Sequence, residues 1–509
     1  MNSRKKDPRP KGEVLRLASV IVPYPAGIFA VLLRVAALLS VNAMAASGAF
    51  VPDFRVRPDD YTVLMAADAQ RPLELKPFQA GAHGKFYVTG WTRPEQALEW
   101  EITVPEEDAY SINVLLRRHG SQALRVEVTS APQTLGVLVP ASLRGWTRQT
   151  LDGLLRLPVG QQRLVLKART SNDTNRFNAS VLSIELVRPV VCERLHAAAL
   201  KLRSDTRWLQ ECRYGLMCHW TSQSFPRRGE RKPYDQAVRE FDVKGFAAQV
   251  QQTGAGFVVF TTSHAQHFFP APLESLDHIL PGRTVRRDLV ADLADALGRR
   301  GVKLFLYYHL GASSDPAWLQ ATGFWESDTS RLFNNWTAMI SEAGQRYGDR
   351  LAGWWFDDGA ISYYYRSAPW ERLATAAKAG HAGRLVAFNP WELPSPTEFQ
   401  DYWCGEGNVD PSVGGLLSFG DDGHFKSGSH QGLQACATLI TESDWVHARK
   451  DTDIGPPKWN APQLAMLLKE FISRKNVPIF NLEIYQEGAL SPQSVDLFRQ
   501  TATQLPSRH

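Results

Sequence analysis

The sequence predicts an all-β sandwich followed by a parallel (β/α)₈-type barrel, and three observations support this fold class. The chain has 509 residues, which is too long for one ordinary domain. From about residue 61 to 190, short segments alternate apolar and polar residues between Gly, Pro, Asn and Asp turns. Beyond residue 205, apolar strands alternate with helical segments, as in parallel sheets with right-handed crossovers. We expect a signal peptide at 1–45, the sandwich at 46–190 and the barrel at 191–509.

The N-terminal segment has the pattern of an export signal. A basic region precedes the apolar run Ile28–Val41, and Ala43-Met44-Ala45 is a small-x-small cleavage pattern. Arg34 interrupts the run, so the uninterrupted stretches are short for a membrane span. We expect cleavage after Ala45 rather than a retained anchor. The mature protein would then be periplasmic or secreted, with no stable membrane span.

Charge and cysteine content limit the choice of partners and cofactors. Residues 1–45 contain seven basic and two acidic residues, and without them the net charge of +5 becomes zero. A neutral remainder does not support a nucleic-acid surface. No cysteine spacing resembles a zinc site, and neither a metal nor another cofactor is predicted. Cys192 and Cys212 are candidates for a local disulfide, with buried thiols as the equal alternative.

The predicted sandwich has eight to ten short strands. They include 85–89, 97–104, 110–116, 125–129, 162–167 and a closing strand at 180–187 that returns to the first. The layout, with turn glycines such as Gly84 and Gly90 and the stretch Glu99-Trp100-Glu101, resembles galactose-binding-type sandwiches. That architecture is common in carbohydrate-binding modules. The alternative is a structural sandwich that only packs on the second domain.

The barrel prediction rests on regular strand–helix alternation after a helical connector at 193–202. Predicted strands are 213–220, 256–264, 302–310, 351–358, 384–390 and 478–485, and the stretches 401–406 and 432–445 supply further strand ends. Predicted helices are 244–253, 287–300, 331–347, 370–381, 461–474 and 491–504. An open doubly wound sheet is the alternative, but no Gly-rich phosphate loop follows the first strand.

Polar and aromatic residues recur at the carboxyl ends of the predicted strands. In a parallel barrel these ends converge on one mouth. Along 351–358 the side chains alternate, so Asp357 points into the barrel if Trp354 and Phe356 pack under the helices. Asp358 would then begin the turn. The candidates are His219, Trp220, His264, Tyr308, His309, Asp357, Asn389, Glu406, Glu442 and Trp445.

Several of these stretches resemble family 29 glycoside hydrolases, the α-L-fucosidases. The family's Phe-Gly-Ile-Phe-x-His-Trp-Gly is similar to 214–220, and its Trp-Phe-Asp-Gly to Trp355-Phe356-Asp357, with Asp358 inserted before the glycine. Further similar stretches, over about 205–500, are 261–268, 287–290, 304–309 and, loosely, 480–482. Ala265 and Gln266 replace a histidine and an aspartate of the family pattern, which weakens the case for fucose itself.

The resemblance implies a retaining mechanism with Asp357 as nucleophile. A second carboxylic acid would protonate the leaving oxygen and then activate water. Glu406 is the first choice for this acid/base, and Glu442 the second. Of the other candidates, His219 and His264 would bind sugar hydroxyls, while Trp220, Tyr308 and Trp445 would stack on the sugar or line the core. His309 and Glu442 are also predicted to bind the substrate.

Three hypotheses follow for the function. The leading one is an exported glycoside hydrolase, related to α-L-fucosidases, that acts on a terminal sugar of a glycan. The second is a non-catalytic glycan-binding protein that kept the barrel. The third, a structural protein of the cell envelope, is disfavoured by the polar residues at successive strand ends.

Overall fold

A computed structural model of the protein describes most of residues 54–505. The segments not described within this range are 81–83, 92, 94, 120–121, 144–145, 171–177, 265, 310–314, 325, 327, 358–367, 391–392, 394, 407–421 and 427–430. The predicted signal peptide at 1–45, Ala265 and Asp358 therefore lie outside the described residues.

Two antiparallel sheets form the N-terminal sandwich, as predicted. Their strands are β1 (Thr62–Met65), β2 (Lys76–Ala80), β3 (Gly84–Thr89), β4 (Ala97–Val104), β5 (Asp108–His119), β6 (Leu124–Ser130), β7 (Gln133–Val139), β8 (Trp146–Thr150), β9 (Leu155–Leu157), β10 (Gly160–Thr170) and β11 (Asn178–Val187). One sheet runs β2-β3-β11-β5-β8, with β1 paired to β11 and β9 to β5, and the other runs β4-β10-β6-β7. In β4, Trp100, Ile102 and Val104 are buried while Glu101 and Thr103 between them are exposed, which is the period of a half-buried strand.

Eight parallel strands form the barrel. They are β12 (Gly215–Cys218), β13 (Phe257–Thr261), β14 (Lys303–His309), β15 (Leu351–Asp357), β16 (Leu385–Asn389), β17 (Tyr402–Trp403), β18 (Gln434–Ile440) and β19 (Val477–Leu482). The order is β16-β15-β14-β13-β12-β19-β18-β17. Between the edge strands β16 and β17, the Asp401 amide donates to the Val386 carbonyl at 2.8 Å, so the barrel is nearly closed.

The helices lie between and after the strands, and those predicted from the sequence lie close to their predicted positions. They are α1 (Pro189–Leu202), α2 (Arg207–Cys212), α3 (Tyr234–Glu240), α4 (Val243–Thr253), α5 (Glu274–Ile279), α6 (Leu289–Gly298), α7 (Pro316–Thr322), α8 (Ser330–Tyr347), α9 (Trp370–Ala377), α10 (Ala461–Ser473) and α11 (Pro492–Ala502). The short helices α2, α3, α5 and α7 were not predicted. Helix α10 begins with a capping box, in which Asn460 and Gln463 bond to each other's backbone amides. In the part of the chain that the structure describes, no helix is both long and apolar enough to cross a membrane.

Alternation along the strands separates the barrel interior from the layer beneath the helices. Trp355 packs in the interior cluster, whereas Trp354 and Phe356 pack in the outer cluster with the helices. Asp357 therefore has the inward orientation that its position in the strand predicts. The inward-facing residues of β15 also change in character along the strand. They run from a glycine through an apolar residue to a polar residue, namely Gly353, Trp355 and Asp357. A Cβ on Gly353 would lie only 2.4 Å from the Phe305 ring, so this lower layer requires glycine.

The sandwich and the barrel share contacts within one compact unit. Leu393, in the segment between β16 and β17, packs in a cluster with sandwich residues Met65, Tyr87, Leu115 and Leu182. Helix α1 joins the two parts of the molecule, and it contacts the same segment through His196, whose Nδ1 lies 2.7 Å from a Glu398 carboxylate oxygen.

No disulfide links Cys192 to Cys212, so the predicted local bridge is not formed. The Cys192 Sγ instead lies 3.1 Å from the Tyr61 hydroxyl. Both residues remain thiols, but each is half-buried, so the alternative of buried thiols is also not met for this pair.

Candidate active site

The mouth of the barrel collects inward-facing polar side chains from several strands. Because side chains alternate along each strand, the residue two positions after an interior apolar residue also faces inward. The inward-facing residues at the carboxyl ends are His219, His309, Asp357, Asn389, Glu406 and Asn481. Of these, His219, His309, Asp357, Asn389 and Glu406 were predicted at strand ends, whereas Asn481 was not.

One amide group connects the two predicted catalytic carboxylates. Asn389 Nδ2 donates to Asp357 Oδ1 at 3.1 Å and to Glu406 Oε1 at 2.9 Å. The three residues lie at the ends of β15 and β16 and just beyond β17. The barrel thus brings Asp357 and Glu406 together although they are 49 positions apart in the sequence.

Tyr307 fixes the other oxygen of Asp357. Its hydroxyl donates to Asp357 Oδ2 at 2.5 Å, and its ring stacks on Trp355 with centroids 5.0 Å apart. His309 Nε2 lies 3.9 Å from the same oxygen. Asp357 is therefore held from two sides, by a phenol and by an amide.

Glu406 has the electrostatic environment of a proton donor. Burial, followed by the negative charge of Asp357, raises the pKa of Glu406 to about 8, although the Asn389 hydrogen bond acts in the opposite direction. A carboxyl group with this pKa is mostly protonated at neutral pH. Asp357 can therefore act as a nucleophile or base at the same pH at which Glu406 acts as an acid.

Three histidines line the mouth beside the carboxylates. The ring of His264 lies 5.6 Å from His219 and 5.4 Å from His309, measured between centroids. Burial lowers the pKa of His219 to about 3 and those of His264 and His309 to about 4. All three imidazoles are therefore neutral at pH 7, so each carries a proton on one ring nitrogen and a lone pair on the other.

A comparison with protein families shows the family to which this barrel belongs. The α-L-fucosidase family model matches residues 233–505, which is more than half of the chain. The chain belongs to the α-L-fucosidase family. Strand β12, which leads to His219, precedes the matched region, but it pairs in parallel with β13 and β19 inside it.

Solved structures with similarity to this fucosidase-family chain include two α-L-fucosidases. The one from Lactobacillus casei, in complex with α-L-fucose, has 16% identity and a TM-score of 0.41, and the match covers 58% of this chain and 96% of that one. The family 29 enzyme from Bacteroides thetaiotaomicron has 16% identity and a TM-score of 0.42, with 59% and 73% covered. An endo-fucoidan hydrolase of glycoside hydrolase family 107 has 16% identity and a TM-score of 0.45, with 59% and 64% covered. The comparison with curated proteins found no match.

Trp445 lies at the mouth of this fucosidase-family barrel, whereas Trp220 does not. The half-buried Trp445 ring is 5.2 Å from the His219 ring. Trp220 is buried in the outer cluster, where its ring packs on Phe241 and its indole N–H donates to the Gln486 carbonyl. This corrects the assignment of Trp220 to substrate binding and favours the core alternative.

Tyr308 also faces away from the mouth. It belongs to the outer cluster, and its hydroxyl lies 3.1 Å from His267 Nδ1. Tyr307, the preceding residue, occupies the interior position beside Asp357. The prediction for Tyr308 is therefore corrected to Tyr307, because adjacent residues of a strand point to opposite faces.

Glu442 has partners that the first-choice acid/base lacks. Its carboxylate accepts hydrogen bonds from the Ser494 hydroxyl and, at 3.1 Å, from the Glu483 amide. Burial raises its pKa to about 7. Ser494 belongs to helix α11, so these contacts tie Glu442 to the outer layer of the barrel and argue against the role of acid/base.

Sequence reasoning missed two residues of the site and gave a third no role. Tyr307 and Asn481 were not among the predicted site residues, and Asn389 was noted only for its place at a strand end. Alternation along β14 could have found Tyr307, since it shares a face with His309.

Within the described residues, no group of three or more His, Cys, Asp or Glu side chains forms a metal site.

Proposed function

We propose that the protein is a retaining glycoside hydrolase that removes a terminal fucose-type sugar from a glycan, with Asp357 as nucleophile and Glu406 as acid/base. The shared Asn389 amide gives the strongest support. Because one nitrogen bonds both carboxylates, at 3.1 and 2.9 Å, their bonded oxygens can be at most about 6 Å apart. Retaining pairs are about 5–5.5 Å apart, whereas inverting pairs need about 6.5–9.5 Å to admit a water molecule.

The reaction has two displacements at the anomeric carbon. In the first, an Asp357 oxygen attacks this carbon while the glycosidic bond breaks, and Glu406 gives its proton to the departing oxygen. In the second, the Glu406 carboxylate takes a proton from water, the water oxygen bonds to the anomeric carbon, and the ester to Asp357 breaks. Glu406 ends protonated and Asp357 ionised, as both began.

The neighbouring side chains suit a sugar. Neutral His219, His264 and His309 offer donors and acceptors to hydroxyl groups, and Trp445 beside His219 offers an aromatic face. The fucose-type sugar is proposed from membership of the family, and the glycan that bears it is left open. Gln266 Oε1 is occupied by the Ser222 hydroxyl at 2.9 Å, in keeping with the departure of this stretch from the family pattern.

Export is a further part of the proposal and rests on residues 1–45 alone. Expression of the full chain in a bacterial host, followed by fractionation and N-terminal sequencing, tests it. We expect a periplasmic or secreted product that begins at Ala46. A full-length chain retained in the cytoplasm or membrane would contradict export and leave the catalytic proposal untouched.

Azide rescue with aryl α-L-fucosides tests both catalytic roles. In Asp357→Gly we expect kcat/KM to fall by at least about 10⁴-fold, because the nucleophile is lost. Azide should restore turnover by direct displacement and give the β-fucosyl azide. In Glu406→Gln a substrate with a good leaving group should still form the ester, and azide should then give the α-fucosyl azide.

The control is Glu442→Gln, which alters a buried glutamate outside the Asp357–Glu406 pair. Unchanged activity in Asp357→Gly would rule out Asp357 as nucleophile, and azide products of one anomer in both variants would rule out the division of roles. Fucoside binding by the wild type without turnover would instead support the non-catalytic glycan-binding hypothesis.

A further inference from the structure

Asn481 makes a short hydrogen bond to a histidine of the mouth. His219 Nδ1 and Asn481 Oδ1 are 2.7 Å apart, and both side chains are buried. The two residues lie at the carboxyl ends of the adjacent strands β12 and β19. Asn481 takes no direct part in the proposed chemistry, so any contribution that it makes has to pass through His219.

The orientation of the Asn481 amide is set by two backbone carbonyls. Its Nδ2 donates to the Trp445 carbonyl at 3.1 Å and to the Asp444 carbonyl at 3.3 Å. A side-chain amide that spends its N–H groups on carbonyls must turn its oxygen to the remaining partner. The group facing His219 is therefore the acceptor Oδ1.

The segment that supplies these carbonyls is itself fixed by a buried carboxylate. Glu483 Oε1 accepts hydrogen bonds from the Asp444 amide and the Ser443 hydroxyl, each at 3.1 Å. Glu483 is fully buried and follows Asn481 by two positions in the chain. The buried Glu483 thus fixes the loop after β18 whose carbonyls orient Asn481.

An acceptor facing Nδ1 decides which nitrogen of a neutral imidazole carries the proton. His219 must hold its proton on Nδ1, which leaves a lone pair on Nε2 at the opposite edge of the ring. The ring lies between Tyr307, at 4.8 Å, and Trp445, at 5.2 Å, and so its position at the mouth is also constrained.

We propose that Asn481 is a positioning residue that holds His219 as the Nδ1–H tautomer, so that His219 Nε2 accepts a hydrogen bond from a free hydroxyl of the bound sugar. The sugar part of this inference rests on the proposed function, whereas the tautomer part does not. A substrate whose hydroxyl at that place is missing, methylated or sulfated cannot donate to Nε2. The site therefore selects sugars that are unsubstituted there.

The tautomer is tested in the unliganded protein. Histidine-labelled protein is studied by long-range ¹H–¹⁵N correlation, with His219 assigned by its absence in His219→Phe. We expect a protonated Nδ1 and an unprotonated Nε2 in the wild type and in Asn481→Asp, which keeps an acceptor. In Asn481→Leu, of similar size but without an acceptor, the proton should move to Nε2 or exchange between both nitrogens.

The pH dependence separates positioning from a structural role. Burial lowers the pKa of His219 to about 3, and a carboxylate at position 481 would raise it by adding negative charge. The acidic limb of kcat/KM should therefore move to higher pH in Asn481→Asp. Loss of structure alone would lower activity in both variants without moving this limb.

A panel of monodeoxy aryl fucosides tests the hydroxyl. For the hydroxyl that meets Nε2, removal should lower wild-type kcat/KM by about tenfold or more, and the same removal should cost Asn481→Leu less than about threefold. His219→Phe should lose sensitivity to the same hydroxyl. Equal losses across the panel in wild type and Asn481→Leu would overturn the selection of a free hydroxyl.

The outcomes distinguish this inference from the proposed function. An unchanged His219 tautomer in Asn481→Leu would overturn the role of Asn481, whatever the activity. No turnover of any aryl fucoside by the wild type would contradict the proposed function while the tautomer result still stood. Thermal unfolding of each variant shows that the comparison is made on folded protein.

Discussion

In the proposed mechanism, Glu406 makes the reaction depend on pH through a single proton. Its pKa is about 8 because the carboxyl is buried beside Asp357, and the acid form is needed to protonate the leaving oxygen. We expect kcat/KM for a fucoside with a poor leaving group to fall tenfold per pH unit above about pH 8. The measurement is a pH profile of wild type and Glu406→Gln.

The leaving group supplies the control for this prediction. A dinitrophenyl fucoside needs little protonation, so its first displacement should depend weakly on Glu406. The basic limb should therefore be small for this substrate and missing in Glu406→Gln. A limb of the same position and size for both substrates would assign it to another group.

Glu442 should affect stability rather than catalysis. Burial raises its pKa from 4.5 to about 7, so the folded protein binds this proton more tightly than the unfolded chain. The resulting stabilisation is complete below about pH 4.5, declines as the pH rises, and is lost above about pH 7. Glu442→Gln removes this dependence. Between about pH 4.5 and pH 7, the unfolding free energy of the variant should therefore rise by up to about 3 kcal/mol relative to that of the wild type.

Denaturant unfolding at pH 4.5, 6 and 8 measures this difference, since other titrating groups are common to both proteins. Activity of Glu442→Gln should stay within about threefold of wild type. A loss like that of Glu406→Gln would instead restore Glu442 as the acid/base.

At the level of the element, strand β14 shows how alternation assigns function. Tyr307 and Tyr308 are adjacent, yet Tyr307 bonds Asp357 and Tyr308 bonds His267 under the helices. We expect Tyr307→Phe to lower kcat/KM by about 10- to 100-fold, the value of one hydrogen bond to a charged group. Tyr308→Phe should leave kcat/KM within about threefold and cost about 1 kcal/mol of stability.

This matched pair removes one hydroxyl from each face of the same strand. Steady-state kinetics and denaturant unfolding are measured on both variants. Equal kinetic losses would show that the faces are not functionally distinct, and a loss only in Tyr308→Phe would reverse the assignment.

The elements show which parts of the fold a sequence can predict. Long periodic segments such as Ser330–Tyr347 were predicted to within a residue, because their apolar positions repeat with the helical period. Strand β17 has two residues, too few to show a period, and only its end was predicted. The orientation of Asp357 followed from its own strand, but its contact with Tyr307 depends on the register of β14 against β15. That register depends on how two strands distant in the sequence pair with each other, so it cannot be predicted from either segment alone.

At the scale of the whole molecule, the segment between β16 and β17 joins the proposed catalytic residues to the sandwich. It begins after Asn389 and leads through β17 to Glu406. At its end, Asp401 Oδ2 accepts from the Lys378 ammonium at 2.9 Å, and Oδ1 accepts from the Ser204 amide at 2.6 Å. Barrel helix, connector and sandwich therefore all hold the segment that sets the distance between the carboxylates, which favours a structural role for the sandwich.

Leu393 allows this coupling to be tested without dividing the chain. It is 3% exposed and packs on sandwich residues, whereas Leu98 is fully buried in the sandwich core. Each Leu→Ala change should cost about 2–5 kcal/mol of stability, since each leaves a cavity. Only Leu393→Ala loosens the segment between Asn389 and Glu406, so only this variant should also lower kcat, by about tenfold or more, because small displacements of catalytic groups are costly. The measurement is kcat per folded molecule, with the folded fraction taken from unfolding curves at the assay temperature. Equal kcat values in the two variants would mean that the sandwich adds stability to the molecule without holding the active site in place.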